Sequence, residues 1–112
     1  MTYQELKAIS RAEAQEALSY ADESETVVLI LRLANTAGEW EWKQDFLLAS
    51  SHSPSAEIRR ACVQGLGDLA RIHRQLDVVQ VKATFEGLWR HPELRGTIED
   101  ALSDIEIFVP SA

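Results

Sequence analysis

The sequence predicts an all-α domain in which about three helical hairpins stack into an α-solenoid. Three observations carry this. Every well-patterned segment has helical spacing of its apolar residues, the connections between segments are only a few residues long, and the fourth and sixth segments repeat one another at an offset of 36 positions. A helix pair recurring at that period marks a stacked repeat, in which each unit buries its apolar face against its neighbours. The chain has 112 residues, enough for one domain. The expected organisation is one unit over residues 1–112, with helix pairs at about 3–37, 39–73 and 77–108.

Thr2 followed by Glu5 has capping-box spacing, and Leu6, Ile9, Ala14, Ala17 and Leu18 form a modest apolar stripe, placing a first helix near 3–19. The run ADESE opens a second helix with acids that suit its positive end; the helix extends to about Thr36, with Gly38 as its stop. Val27 to Leu33 is β-branched enough to suit a strand, but a lone strand among helices has no partner, so helix is preferred. The third helix spans about 39–51, with Trp42, Phe46, Leu47 and Ala49 as its apolar positions. SHSPSA makes a turn, and the fourth helix runs from about Ser55 to His73. Leu76 and Asp77 open the fifth, which contains Val78, Val81, Phe85, Leu88 and Trp89. His91-Pro92 breaks it, because proline disfavours helical geometry in the residue before it. The sixth runs from about Glu93 to Phe108, and Pro110 closes the pattern.

The repeat aligns EIRRACVQGLGDL with ELRGTIEDALSDI, pairing Glu57 with Glu93, Arg59 with Arg95, Leu66 with Leu102 and Asp68 with Asp104. It also decides how GLGDLA, residues 65–70, is read. That run fits the G-x-G-x-x-A turn of dinucleotide-binding folds, but such a turn needs a strand before it and an acid well downstream. Here Ile58, Ala61, Cys62, Gly65, Leu66, Leu69 and Ile72 share one helical arc with Gly65 near its centre. Ala101 and Ser103 stand at the positions equivalent to Gly65 and Gly67. Small residues therefore recur where neighbouring helices are expected to approach closely, and no cofactor is expected.

Apolar residues make up 46% of the chain and charged residues 26%, the balance of a globular domain. Cys62 is the single cysteine, which suits a reducing compartment. MTYQELK lacks the features of a secretory leader, and the longest apolar run, Val27–Leu31, is too short for a bilayer, so a cytoplasmic protein without membrane contact is expected. The formal charge is −7, with −5 on residues 1–50, +2 on 51–92 and −4 on 93–112. Such a field repels nucleic acid and attracts basic surfaces.

Trp40 and Trp42 ahead of an apolar helix, the segment AEIRRACVQGLGDLARIHRQLD and the ending IEDALSDIEIF together resemble the HEAT-repeat class, and more narrowly small bacterial HEAT-like proteins, over about residues 39–108. The resemblance implies a right-handed solenoid. Because helix grammar of this kind serves enzymes, scaffolds and inhibitors alike, function must be argued from the residues.

Some HEAT-like enzymes bind metal through adjacent His-Glu dyads. Here His52 is followed by serine, His73 by arginine and His91 by proline, and none has a second ligand at metal spacing on its own helix. No nucleophile-elbow context supports Ser-His-Asp catalysis. No metal and no enzymatic activity are expected. A DNA-binding role needs a cationic face; Arg59, Arg60, Arg71, Arg74 and Arg90 supply some charge, but the total is acidic. Arg59 and its repeat equivalent Arg95 are expected instead to form a ladder between repeats with Asp68 and Asp104.

The sixth helix carries Glu99 and Glu106 where the fourth has Val63 and Ala70, as a terminal helix with a wet flank requires. Glu99, Asp100, Asp104 and Glu106 together exceed what solubility demands and suit a basic partner. The HEAT-like resemblance extends to immunity proteins of polymorphic toxin and contact-dependent growth inhibition systems. It implies a protein that neutralises a toxin domain, expected to be basic, by direct binding. A general scaffold using the second helix of each pair is the alternative, and a HEAT-like enzyme the third reading. The candidate partner-binding residues are Glu99, Asp100, Asp104 and Glu106, with Trp40, Arg60, Gln64 and Arg71 as a second group.

Overall fold

The computed structural model describes residues 8–110, and among these the regular structure is entirely helical, with no strand. Six α-helices follow one another: α1 (Arg11–Tyr20), α2 (Glu23–Ala34), α3 (Trp40–Ser50), α4 (Ala56–His73), α5 (Val78–Leu88) and α6 (Arg95–Phe108), with a 3-10 turn at Pro92–Leu94 ahead of α6. Consecutive helices pack in pairs, α1 on α2, α3 on α4 and α5 on α6; α4 also lies between α2 and α6. No helix of the described residues is long and apolar enough to cross a membrane.

The helix starts follow side-chain caps, which satisfy amide N–H groups that have no partner inside the helix. Asp22 and Glu25 form a reciprocal capping box at α2, Ser55 accepts from the Ile58 amide at α4, and Asp77 accepts from the Gln80 amide at α5. The first helix corrects the sequence reading. Ala8–Ser10 is non-helical, and α1 begins at Arg11 because Ser10 and Glu13 form a complete capping box. The Thr2–Glu5 box and Leu6 lie outside the described residues. Ile9 is buried ahead of the helix and Ala14 within it, whereas Ala17 and Leu18 are exposed. The sixth helix likewise begins later than Glu93, because Pro92 diverts the chain into a 3-10 turn.

The helix α2 ends at Ala34, two residues earlier than expected, and Gly38 stands in the turn beyond it with φ 128°, a conformation that glycine alone adopts without strain. Lys43, missed as a structural residue by the apolar pattern of α3, closes this end. It is fully buried, and its ammonium donates to the Thr36 carbonyl at 2.6 Å, the Ala37 carbonyl at 2.9 Å and the Thr36 hydroxyl at 3.3 Å. It thereby serves carbonyls just past a helix C-terminus, where a cation is also favoured by the helix dipole. Burial lowers its pKa below the usual lysine value. Leu48 is buried on α3 and Ala49 exposed, the reverse of the reading for Ala49.

The long helix α4 is the centre of the core. Between Ala61 and Ala70 only Gln64 is exposed, so the one-arc pattern understates its burial, while Ile72 at the far end of that arc is exposed. A Cβ on Gly65 would lie 3.3 Å from both methyls of Leu47 and 3.4 Å from the Ala34 Cβ, and one on Gly67 would lie 3.2 Å from the Ala101 Cα. The glycines thus admit α2 and α3 on one side and α6 on the other. No strand or turn accompanies GLGDLA, which lies within α4.

The 36-residue repeat has a structural counterpart different from the expected ladder. Arg59 donates to the Ser53 and Pro54 carbonyls, both at 3.0 Å, and Arg95 donates to the Trp89 carbonyl at 2.8 Å. Each guanidinium therefore reaches six residues back to hold the turn before its own helix. Asp68 and Asp104 pair with neither arginine; Arg59 pairs with Glu93 at 3.2 Å, and the aspartates face Arg71.

Candidate functional site

The two helices that align in the repeat, α4 and α6, also pack against each other. Gly67 of α4 and Ala101 of α6 carry so little side chain that the two helices approach closely, and longer polar side chains stand on either side of the contact. The result is a groove of about 310 Å³ lined by Gln64, Asp68 and Arg71 from α4 and by Thr97, Asp100 and Asp104 from α6, with Gly67 and Ala101 between them. Gln64 and Asp100 are equivalent repeat positions, as are Asp68 and Asp104.

The electrostatics are negative but braced. Asp68, largely buried, accepts from the Asn35 amide at 2.9 Å and from Arg71 at 3.1 Å, while Arg71 also lies 4.0 Å from Asp104. Two carboxylates therefore share one guanidinium while Asp100 stands exposed beside them, and Arg71 is half-exposed, within reach of a partner. Fixed carboxylates around a narrow opening favour an incoming ammonium or guanidinium, because little side-chain freedom remains to be lost.

Four of the eight candidate residues, Gln64, Arg71, Asp100 and Asp104, meet in this groove. Arg60 lies one turn before Gln64 on α4, outside the lining, and is occupied by Glu57 at 3.2 Å. Glu99 is exposed on α6 beyond the groove edge. Glu106 lines a different groove, and Trp40 is half-buried at the start of α3, lining neither.

That second groove, about 1050 Å³, runs between α5 and α6 and was absent from the sequence reading. Val78 and Trp89, placed on the fifth helix by the sequence, and Leu102, paired there with Leu66, all line this open trough. The adjacent pair Val78-Val79 was an available signal, since neighbouring residues on a helix cannot both face inward; Val79 is 82% exposed.

The histidines lie apart. His52 is exposed in the turn after α3, His91 stands 3.7 Å from Glu93, and His73 closes α4 with its pKa lowered by burial and by nearby Lys43. Cys62 is buried, which pushes its thiol up to about 12 and leaves it protonated and unreactive. Among the described residues no group of three or more His, Cys, Asp or Glu side chains could hold a metal ion.

The fold is similar to that of a chain in the crystal structure of a CDI complex from Cupriavidus taiwanensis LMG 19424. The TM-score is 0.79 at 27% sequence identity, over 96% of this chain and 96% of that one. No protein-family model matches the sequence, and no curated protein matches it.

Proposed function

We propose that this chain is an immunity protein that neutralises a toxin domain of a contact-dependent growth inhibition system by binding it. The likeness along nearly the whole length of a chain from a CDI complex is the observation that carries this reading. The surface agrees with it. The formal charge is −7, and the α4–α6 groove presents Asp68, Asp100 and Asp104 around one arginine. Many toxin domains that act on nucleic acid have basic substrate grooves, and an acidic, pre-ordered surface is suited to occlude one.

Within the same proposal, the three helix pairs form one HEAT-like right-handed solenoid domain over residues 1–112, with α2, α4 and α6 as its partner-facing row. The protein works in the cytoplasm, needs no cofactor or metal, catalyses no reaction, and makes no use of nucleic acid or membrane. Gln64, Arg71, Asp100 and Asp104 are the central partner-binding residues, and Glu99 and Glu106 steer the approach. The position of the groove between two second helices also suits a general adaptor.

The gene neighbourhood and the purified proteins decide between them. A neighbouring gene for a large secreted protein with a toxic C-terminal domain is expected. That domain should form a stable complex with this chain, with amide exchange slowed along α4 and α6. A metabolic neighbourhood, together with no complex, would favour the adaptor.

A further inference from the structure

The trough between α5 and α6 is apolar to its floor. Phe85, Ile98 and Ile105, each at most 3% exposed, form the base, and Val79 rises 82% exposed on the wall. Trp89 lines the far end of α5 and is 39% exposed. It is held in place, because the Arg95 guanidinium lies 5.4 Å from its ring centroid and donates to its carbonyl at 2.8 Å. An aromatic side chain fixed before binding loses little entropy on contact, and partly exposed tryptophans beside deep apolar pockets are the usual anchors of protein interfaces. Since the connection from Trp89 to Arg95 is short, α6 returns along α5, and the trough extends over the length of α5, about 16 Å.

The charge at its edges selects the occupant. Asp77, Glu86 and Glu106 are exposed around it against one cation, Lys82. A second copy of this chain would set carboxylates against carboxylates, whereas a segment with apolar side chains between lysines or arginines satisfies both floor and rim. Resting on the immunity reading above, we infer that this trough receives a basic, amphipathic segment of the toxin domain, about three helical turns long, with its apolar side chains seated between Val79 and Trp89. The acidic α4–α6 groove then takes charged side chains of the same partner while the trough takes its apolar anchors.

The test uses three synthetic helical peptides of about 11 residues, the length of α5. One has a leucine and phenylalanine stripe with lysine elsewhere, one has the same stripe with glutamate, and one has lysine with alanine in place of the stripe. They are titrated against the intact protein and against Val79→Asp, which alters an exposed position and should leave the helical circular dichroism unchanged. The lysine peptide with the apolar stripe should shift the methyl resonances of Val79, Leu102 and Val109. It should bind the parent about tenfold or more tightly than it binds Val79→Asp, and than either control peptide binds the parent. Equal binding of the glutamate peptide, or of the alanine peptide, would overturn the assignment. So would sedimentation showing a parent dimer that Val79→Asp dissociates, since the occupant would then be a second copy. A toxin domain bound equally by parent and Val79→Asp would remove the trough from the interface and leave the immunity reading standing. If no toxin domain is bound or neutralised by the parent, the immunity reading fails whatever the peptides show.

Discussion

Replacing Gly65 and Gly87 by leucine separates close packing from helix propensity. Both glycines lie in helices, so each substitution gains about the same propensity, up to roughly 1 kcal/mol. They differ in space. The Cβ of residue 65 would meet both Leu47 methyls at 3.3 Å and the Ala34 Cβ at 3.4 Å, whereas nothing lies within 4 Å of a Cβ at residue 87. Carbon pairs are most stable at about 3.5–4.0 Å. A first carbon at 65 thus forces a small movement, and the rest of a leucine side chain must displace Leu47, which is fully buried. Overpacking of this kind costs about 1–3 kcal/mol. Gly65→Leu should therefore fall below Gly87→Leu by about that amount in urea denaturation, a gap of roughly 4–12 °C in melting temperature for a domain of this size. Neither protein should be stabilised by dinucleotides. Equal stability of the two variants, or a specific rise in melting temperature with a dinucleotide, would refute the close-packing account of GLGDLA.

Three further outcomes follow from other parts of the molecule. Lys43→Met should lose about 1–3 kcal/mol in urea denaturation, because the buried Thr36 carbonyl loses its donor; unchanged stability would show that water serves that carbonyl equally well. The lowered pKa of His73 in the fold means that the unfolded chain takes up its proton first as pH falls below about 6.5. Its contribution is therefore complete above that pH and declines through the folded pKa, so the denaturation midpoint of the parent should drop more than that of His73→Gln; parallel pH profiles would contradict this. Replacing Glu99, Asp100 and Glu106 together by glutamine should leave the fold intact, since all three are exposed, while association with the toxin domain slows and loses salt sensitivity; an unchanged rate in stopped-flow would show that α6 only meets water.

The helix positions were legible because their caps are local chemistry. Asp22, Ser55 and Asp77 sit at fixed offsets from the amides they satisfy, and Pro92 acts on the residue before it. The start of α1 misled because Thr2–Glu5 and Ser10–Glu13 offer the same signature a few residues apart, and local pattern does not rank them. Lys43 escaped notice because its acceptors are carbonyls of a turn, a property of the backbone path that no side-chain spacing encodes. The repeat correctly paired Arg59 with Arg95 but not their partners, since register between equivalent positions says nothing about which neighbour a long side chain selects.

The candidate residues come together only where they share a face. Gln64, Asp100 and Asp104 converge because they occupy aligned positions on packed helices, and Arg71 reaches them from one turn beyond Gly67. Glu99, selected because it replaces Val63 in the repeat, and Trp40, selected ahead of an apolar helix, lie outside both grooves. The trough was illegible for a different reason. Periodicity shows which residues are apolar on α5 and α6, whereas whether anything covers them depends on how far apart the two helices stand.

The central claim is tested most directly by growth. Cells expressing the toxin domain encoded beside this gene should stop growing, and co-expression of this chain should restore growth while the two proteins purify together. Asp100→Arg combined with Asp104→Arg, placed in the α4–α6 groove, should abolish both rescue and co-purification while lowering the melting temperature by no more than about 4 °C. Undiminished toxicity in the presence of the folded parent protein would contradict the claim.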